Sequence, residues 1–301
     1  MYLEYFKLNK LPFALTPNVD FYCQLNGHQQ AYTTLIFSLR SGEGFIKIVG
    51  EVGSGKTLLC RKLLESLDDD FLTAYIPNPT LSPAELRMAF AREIGLMPNQ
   101  LSDQHELLML INNQLVNLNG MGKKVVLIID EAQALSIEGL EALRLLTNLE
   151  TKTHKLLQVV LFGQPELDEK INLPSLRQLK QRISFSYYLP NISREDLDVY
   201  LFHRLGTAGL NYGALFTKKA RDILYSATNG IPRLINILCH KALLVAYGRG
   251  ELTVDRNIMQ RAIADTDSVR ESYKHYFYIA VVVLVLLISS VFGLYFYKGI
   301  I

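Results

Sequence analysis

The sequence predicts an α/β fold: a parallel sheet with helices on both faces, followed by an all-helical lid and one C-terminal transmembrane helix. Three observations predict it. Gly50-Glu51-Val52-Gly53-Ser54-Gly55-Lys56-Thr57 is a full match to the phosphate-loop pattern GxxxxGK[ST], set between an apolar run and a helical periodicity. Up to residue 190, short apolar runs alternate with helical patterns, as in doubly wound sheets. The run 277–297 carries no charge over 21 residues.

The first segment, 1–30, is rich in aromatics (Tyr2, Tyr5, Phe6, Phe13, Phe21, Tyr22) and contains Pro12 and Pro17. It is too apolar for a free tail and reads as an ordered arm packed on the core. The core is expected over 31–190. It opens with a helix at about 28–40, then a buried strand, Phe45 to Val49, then the loop and its helix. A second strand fits Phe71 to Ile76, stopped by Pro77 and Pro79. Ser82-Pro83-Ala84-Glu85 is a capping box with proline in the first turn, so a helix starts there, and another fits Asp103 to about Leu118. Lys124 to Asp130 is a β-branched run ending in acid, suited to a central strand buried on both faces. A helix over about 138–148, a strand at Leu156 to Phe162, short helices up to Gln181 and a fifth strand, Ile183 to Leu189, complete the core.

After Pro190 the strand signals stop. Helices are expected from Ser193 to Thr207, from Thr217 to Asn229-Gly230, through Leu234, Leu238, Ala242 and Val245, and from Val254 to Ala264, which makes 191–268 an all-helical lid. The charge-free run 277–297 would span roughly 31 Å as a helix, matching a hydrocarbon core of roughly 30 Å. Aromatics flank it at both ends, and Arg261, Arg270 and Lys274 precede it against Lys298 after it, so the main body is expected in the cytoplasm. Four residues follow the run, and no domain is expected beyond it.

Composition narrows the function classes. The net charge of +2 argues against a strongly nucleic-acid-binding surface. Cys23, Cys60 and Cys239 are scattered and form no CxxC pair, so no zinc or disulfide framework is indicated, and three scattered thiols fit a reducing compartment. The N-terminus lacks the apolar core of a signal peptide.

The chemistry lies in two motifs. The backbone N–H groups of Gly50 to Thr57 can wrap a triphosphate, with Gly50, Gly53 and Gly55 allowing positive φ and close approach. The helix opening at Lys56 aims its positive end at the phosphates. Lys56 reaches the β and γ phosphates, and the Thr57 hydroxyl is placed for Mg2+. The second motif is Asp130-Glu131 at a strand end. Asp130 can help hold Mg2+, and Glu131 can deprotonate the attacking water. No Asn-Lys-x-Asp sequence is present to read guanine, so ATP is expected.

A phosphate loop, an Asp-Glu strand end and a helical lid together resemble the AAA+ ATPases. Further segments narrow the resemblance: Leu11-Pro12-Phe13 with Thr16-Pro17, Asp130-Glu131-Ala132-Gln133, Phe162-Gly163-Gln164-Pro165-Glu166-Leu167, Leu176-Arg177-Gln178-Leu179 with Gln181-Arg182-Ile183, and Gly230-Ile231-Pro232-Arg233. Over 1–268 the chain looks like the ExeA/GspA family, membrane-bound ATPases of type II secretion and type IV pilus biogenesis, and within it the branch that serves mannose-sensitive haemagglutinin pili. Unlike ExeA itself, it is expected to carry no peptidoglycan-binding domain beyond the membrane.

The resemblance implies ATP hydrolysis in a self-assembled ring or filament on a bacterial inner membrane, with pilus or secretion components as partners and the bilayer contacted through 277–297. It implies that Gln164 is sensor 1, against the alternative of a turn residue before Pro165. It implies a trans-acting arginine finger at Arg182, with Arg177 in reserve, against the alternative of a solvated basic face. Arg233 matches the sensor 2 arginine. The aromatics from Phe13 to Tyr22 are a candidate adenine wall or plain packing. Two other classes share this core: a DNA-binding ATPase of the transposition-targeting type, and a nucleotide-dependent scaffold.

Overall fold

The structure is a computed structural model that describes residues 2–97, 103–149, 155–210 and 214–267. Thr16–Ile192 forms one compact unit, and the described residues of Met1–Leu15 and Ser193–Ile301 form the other.

The first unit is a five-stranded sheet. β1 (Phe45–Gly50), β2 (Phe71–Ile76), β3 (Lys124–Ile129), β4 (Leu157–Gly163) and β5 (Phe185–Leu189) lie in the order β2-β3-β4-β1-β5, every pair parallel. All five expected strands are present, the last starting two residues later than the apolar run suggested. Helices cover both faces, so the central strands are buried on both sides and their side chains alternate between two cores. Val125, Leu127 and Ile129 join the core formed with α4 (Pro83–Glu93), α5 (Gln104–Gly120), α6 (Ile137–Leu146), α7 (Pro165–Ile171) and α8 (Arg177–Arg182). Val126 and Ile128 join the core formed with α2 (Asn26–Arg40) and α3 (Lys56–Ser66). The capping box at Ser82 and Glu85 forms as expected, with both hydrogen bonds present.

Two polar side chains interrupt these apolar strands, and each has a partner distant in sequence. Lys47, in the middle of β1, is buried and pairs with Asp168 of α7. Gln158, on β4, donates to Leu39 O and Glu43 O at the end of α2, at 3.0 and 2.9 Å. Both satisfy buried groups that would otherwise cost stability.

Chain direction places the site. β1 leads by α3 to β2, on one side, while its neighbour β4 leads by α7 and α8 to β5, on the other. The crossovers diverge at the β1–β4 boundary, and a crevice opens there beyond the carboxyl ends of the strands.

The second unit is helical: α1 (Tyr2–Tyr5), α9 (Arg194–Thr207), α10 (Lys218–Thr228), α11 (Pro232–Gly248) and α12 (Arg256–Ala264). One isolated bridge pairs Phe216 with Val254. The expected single arm over 1–30 is divided: residues 2–15 belong to this unit, and the chain from Thr16 onward belongs to the α/β unit. The attachments are specific. Asn9 N donates to Ala208 O at 2.7 Å, and the buried Arg204 donates through Nε to Pro12 O at 2.6 Å. Phe13 meets Phe216 edge-on, with ring centroids 5.9 Å apart. Phe13 is therefore core of the helical unit, while Phe21 and Tyr22 are buried in the α/β unit. The aromatics offered as an adenine wall are engaged in packing.

Among the described residues no helix is long and apolar enough to cross a membrane. The expected span, 277–297, lies outside the described residues.

Candidate functional site

Three strand ends build the site. The chain leaving β1 forms the phosphate loop, and Gly53 and Gly55 take φ of +79° and +104° there. Gly50 has no positive φ; its requirement is space. A Cβ at Gly50 would stand 2.8 Å from Ser54 Oγ and 3.0 Å from Leu189 O. Gly55 is doubly constrained, since a Cβ there would also stand 3.1 Å from His28 Nε2. His28, in the first turn of α2, donates that Nε2–H to Ser54 O at 3.0 Å and so braces the loop from behind. Glu51 and Val52 lie exposed on the loop's rim, and Glu51 Oε1 accepts from the Tyr188 hydroxyl at 3.0 Å.

Lys56 opens α3 and is buried. Its Nζ donates to Gly50 O at 2.8 Å and Glu51 O at 2.9 Å, inside the loop. Burial pulls its pKa down, opposed by the charges of Glu131, Asp130, Glu51 and Glu166. Four carboxylates act on one lysine, so the cradle's cation sits among groups that a triphosphate would have to share it with.

The chain leaving β3 supplies Asp130 and Glu131. Asp130 is buried, which raises its pKa, while hydrogen bonds from the Thr57 hydroxyl and the Glu131 N–H and the charge of Lys56 pull it back. The Thr57 hydroxyl at the start of α3 and the Asp130 carboxylate after β3 thus act on one another. This pair fits Mg2+, which takes one or two protein oxygens and completes its shell with phosphate and water. Among the described residues no group of three or more His, Cys, Asp or Glu could hold a metal unaided.

Glu131 stands in the left-handed region at φ +53°, ψ +38°. This conformation costs a non-glycine residue about 1 kcal/mol or more and is found at functional sites. The chain leaving β4 meets it: Gln164 Nε2 donates to Glu131 Oε2 at 2.9 Å. Gln133 Nε2 donates to the same oxygen at 2.5 Å, and Gln133 Oε1 accepts from Gln164 N at 3.1 Å. Gln164 thus precedes Pro165 at the turn and also holds the Glu131 carboxylate through its side chain. Gln133 and His28 carried no role in the sequence reading. The one signal for Gln133 was a polar residue two places past the acid pair, and His28 had none.

Arg182 is placed elsewhere. It lies three residues before β5, and Ser184, two residues further on, donates its backbone N–H to Phe45 O at the start of β1, 2.9 Å away. The loop leaves the other end of β1, roughly 16 Å along the strand. Arg182 therefore cannot serve its own phosphate loop. Its Nη1 donates to Thr147 Oγ1 at 3.0 Å and Arg144 O at 3.4 Å, so it caps the carboxyl end of α6. Arg177, on α8, is exposed. Arg233 lies exposed in the first turn of α11, in the helical unit.

Comparison with known proteins agrees with this architecture. The chain matches an AAA domain family model over residues 39–171. It is 40% identical over 271 residues to General secretion pathway protein A of Aeromonas hydrophila, covering 90% of this chain and 49% of that one. The chain belongs to the ExeA/GspA family of AAA ATPases. It spans about half the length of this ExeA/GspA relative. Solved structures share the fold. Cdc6p of Pyrobaculum aerophilum superposes with a TM-score of 0.63 at 18% identity, over 81% of this chain and 67% of that one. The Aeropyrum pernix ORC1 protein in complex with DNA superposes with a TM-score of 0.60 at 18% identity, over 86% and 70%. Likeness at that identity establishes the fold alone, so the DNA of the second structure is not carried over to this ExeA/GspA chain.

Proposed function

We propose that this chain hydrolyses ATP to ADP and phosphate on the cytoplasmic face of a bacterial inner membrane, in the service of type II secretion or type IV pilus assembly. The observation that supports hydrolysis over mere binding is the Glu131 carboxylate, anchored by Gln164 at the exit of the adjacent strand, beside the phosphate loop. The backbone of Gly50 to Gly55 and Lys56 would hold the phosphates; Thr57 and Asp130 would hold Mg2+, which would supply charge neutralisation for the leaving diphosphate. Glu131 takes a proton from water. The resulting oxygen nucleophile bonds to the γ phosphorus as the bond to the ADP oxygen breaks, and Gln164 orients the attack. This pattern of binding and turnover is tested by two substitutions. Lys56→Ala should lose nucleotide affinity at least about tenfold. Glu131→Gln should bind ATP normally and lose turnover by about two orders of magnitude or more. Wild-type turnover in Glu131→Gln would remove Glu131 as the base.

The wider setting is part of the same reading. Arg182 can act only on a neighbour's nucleotide, which supports assembly into a ring or filament with shared sites. Arg233 would close on the phosphates from the helical lid as sensor 2. The run 277–297 would anchor the chain, and recovery of the full chain from cells in the soluble fraction would remove that element. The service to secretion or pilus assembly rests on the 40% identity to General secretion pathway protein A.

A further inference from the structure

We propose that Gln133 is the positioning residue for the Glu131 carboxylate, clamping one of its oxygens so that the other is left to receive the proton. This rests on the reading of the site as an ATPase.

The geometry is a closed figure of three side chains. Glu131 Oε2 accepts two amide N–H groups, from Gln133 at 2.5 Å and from Gln164 at 2.9 Å. Among the described residues, none donates to Glu131 Oε1. The two oxygens of one carboxylate are therefore in different states: one holds two amide donors, the other has none among the described residues. A base needs an open lone pair in a defined direction, and the clamp supplies the direction.

Gln133 is itself held at both ends of its amide. Its Oε1 accepts from the backbone N–H of Gln164, so its Nε2 must face Glu131. Turned over, the amide would set N–H against N–H at one end and oxygen against carboxylate at the other. Its backbone is pinned as well: Lys170 Nζ, from α7, donates to Gln133 O at 2.6 Å and Leu135 O at 2.8 Å. The carboxylate's position is thus tied through Gln133 to the exit of β4 and to α7. The left-handed backbone of Glu131 turns the chain sharply, so Gln133 returns beside the residue two places before it.

Gln164 alone would leave Oε2 with one donor on a side chain free at its tip. Gln133 adds the second donor and fixes the Gln164 backbone. Removing it should loosen the base without touching the phosphate loop, because none of its hydrogen bonds goes to Gly50–Thr57.

The test is Gln133→Met in the full chain, which keeps the length and removes both amide groups. With Mg-ATP, kcat should fall about tenfold or more while affinity, titrated with a fluorescent ATP analogue, stays within about twofold. In the Glu131→Gln background the same substitution should change the residual rate less than about twofold, since the group it positions is gone. Gln133→Glu, nearly isosteric, keeps the acceptor for Gln164 N–H but sets a carboxylate against Glu131, so it too should lose kcat at constant affinity. It decides the matter should Gln133→Met fail to fold. Unchanged kcat in the variants overturns the proposal and leaves the ATPase reading standing. Equal losses in both backgrounds, or affinity lost in step with kcat, also overturn it, because Gln133 would then be a packing residue. A wild-type chain that binds ATP without hydrolysing it overturns the ATPase reading, and this proposal with it.

Discussion

At the scale of single residues, the site is made of conformations and charges that a stable fold would avoid. Glu131 occupies the left-handed region, Asp130 is a buried carboxylate with a raised pKa, and Lys56 is a buried lysine with a lowered one. Each is tolerated because neighbours over-determine it: Gln133 and Gln164 for Glu131, Thr57 and Lys56 for Asp130, two loop carbonyls for Lys56. Gly55 shows how narrow the tolerance is. Gly55→Ala would place a Cβ at φ +104° and 3.1 Å from His28 Nε2. We expect it to lose nucleotide affinity and to destabilise the fold by more than about 1 kcal/mol, read by calorimetric titration and thermal melting. Normal affinity in that variant would show that the loop takes another path.

At the scale of elements, Arg182 makes a helix cap and is also the residue we propose as a trans-acting finger, and a single substitution would confuse the two. It caps α6 through Thr147 Oγ1 and Arg144 O, and its place before β5 points it away from its own nucleotide. Arg182→Ala should lose both the cap, at about 1 kcal/mol, and any turnover that depends on protein concentration. Thr147→Val separates the two. It removes one cap partner and leaves the guanidinium, so stability should drop while concentration-dependent turnover survives. If Arg182→Ala lowers the melting temperature but leaves that dependence unchanged, the arginine is a helix cap and no finger.

At the scale of the whole molecule, residues 2–15 are a fastening of the helical unit. The Tyr2 hydroxyl and His240 Nδ1 share a hydrogen bond of 3.0 Å, with Tyr2 raised to about 12 and His240 lowered, each by burial. A histidine lowered by folding contributes stability that is present above its unfolded pKa of about 6.5 and lost as pH falls through the folded value. The contact should therefore weaken in mild acid. Hydrogen-exchange protection of residues 2–8, corrected for the intrinsic rate, should fall between pH 7.5 and pH 5.5, and His240→Gln should flatten that dependence. Protection that is constant across this range would show that α1 is held by its aromatics alone, Tyr2 and Tyr5 on α11.

Much of this was written in local stretches of chain. The phosphate loop, the capping box at Ser82, the acid pair after β3 and the alternation of strands and helices depend on neighbouring residues, and the structure realises them where the sequence placed them. The path of the arm was not legible, because Phe13 chooses its partner by tertiary packing: Phe216 lies far along the chain. Nor was the partner of Lys47, 121 residues away at Asp168, or the cap that Arg182 makes 35 residues upstream. The sequence by itself determined that a glycine-rich loop and an acid pair stand at strand ends, since backbone sterics and helix starts act over a few residues. Only the tertiary structure decided how the Glu131 carboxylate is held, since the parallel crossovers that bring Gln164 to Glu131 close over 33 residues and leave no local trace.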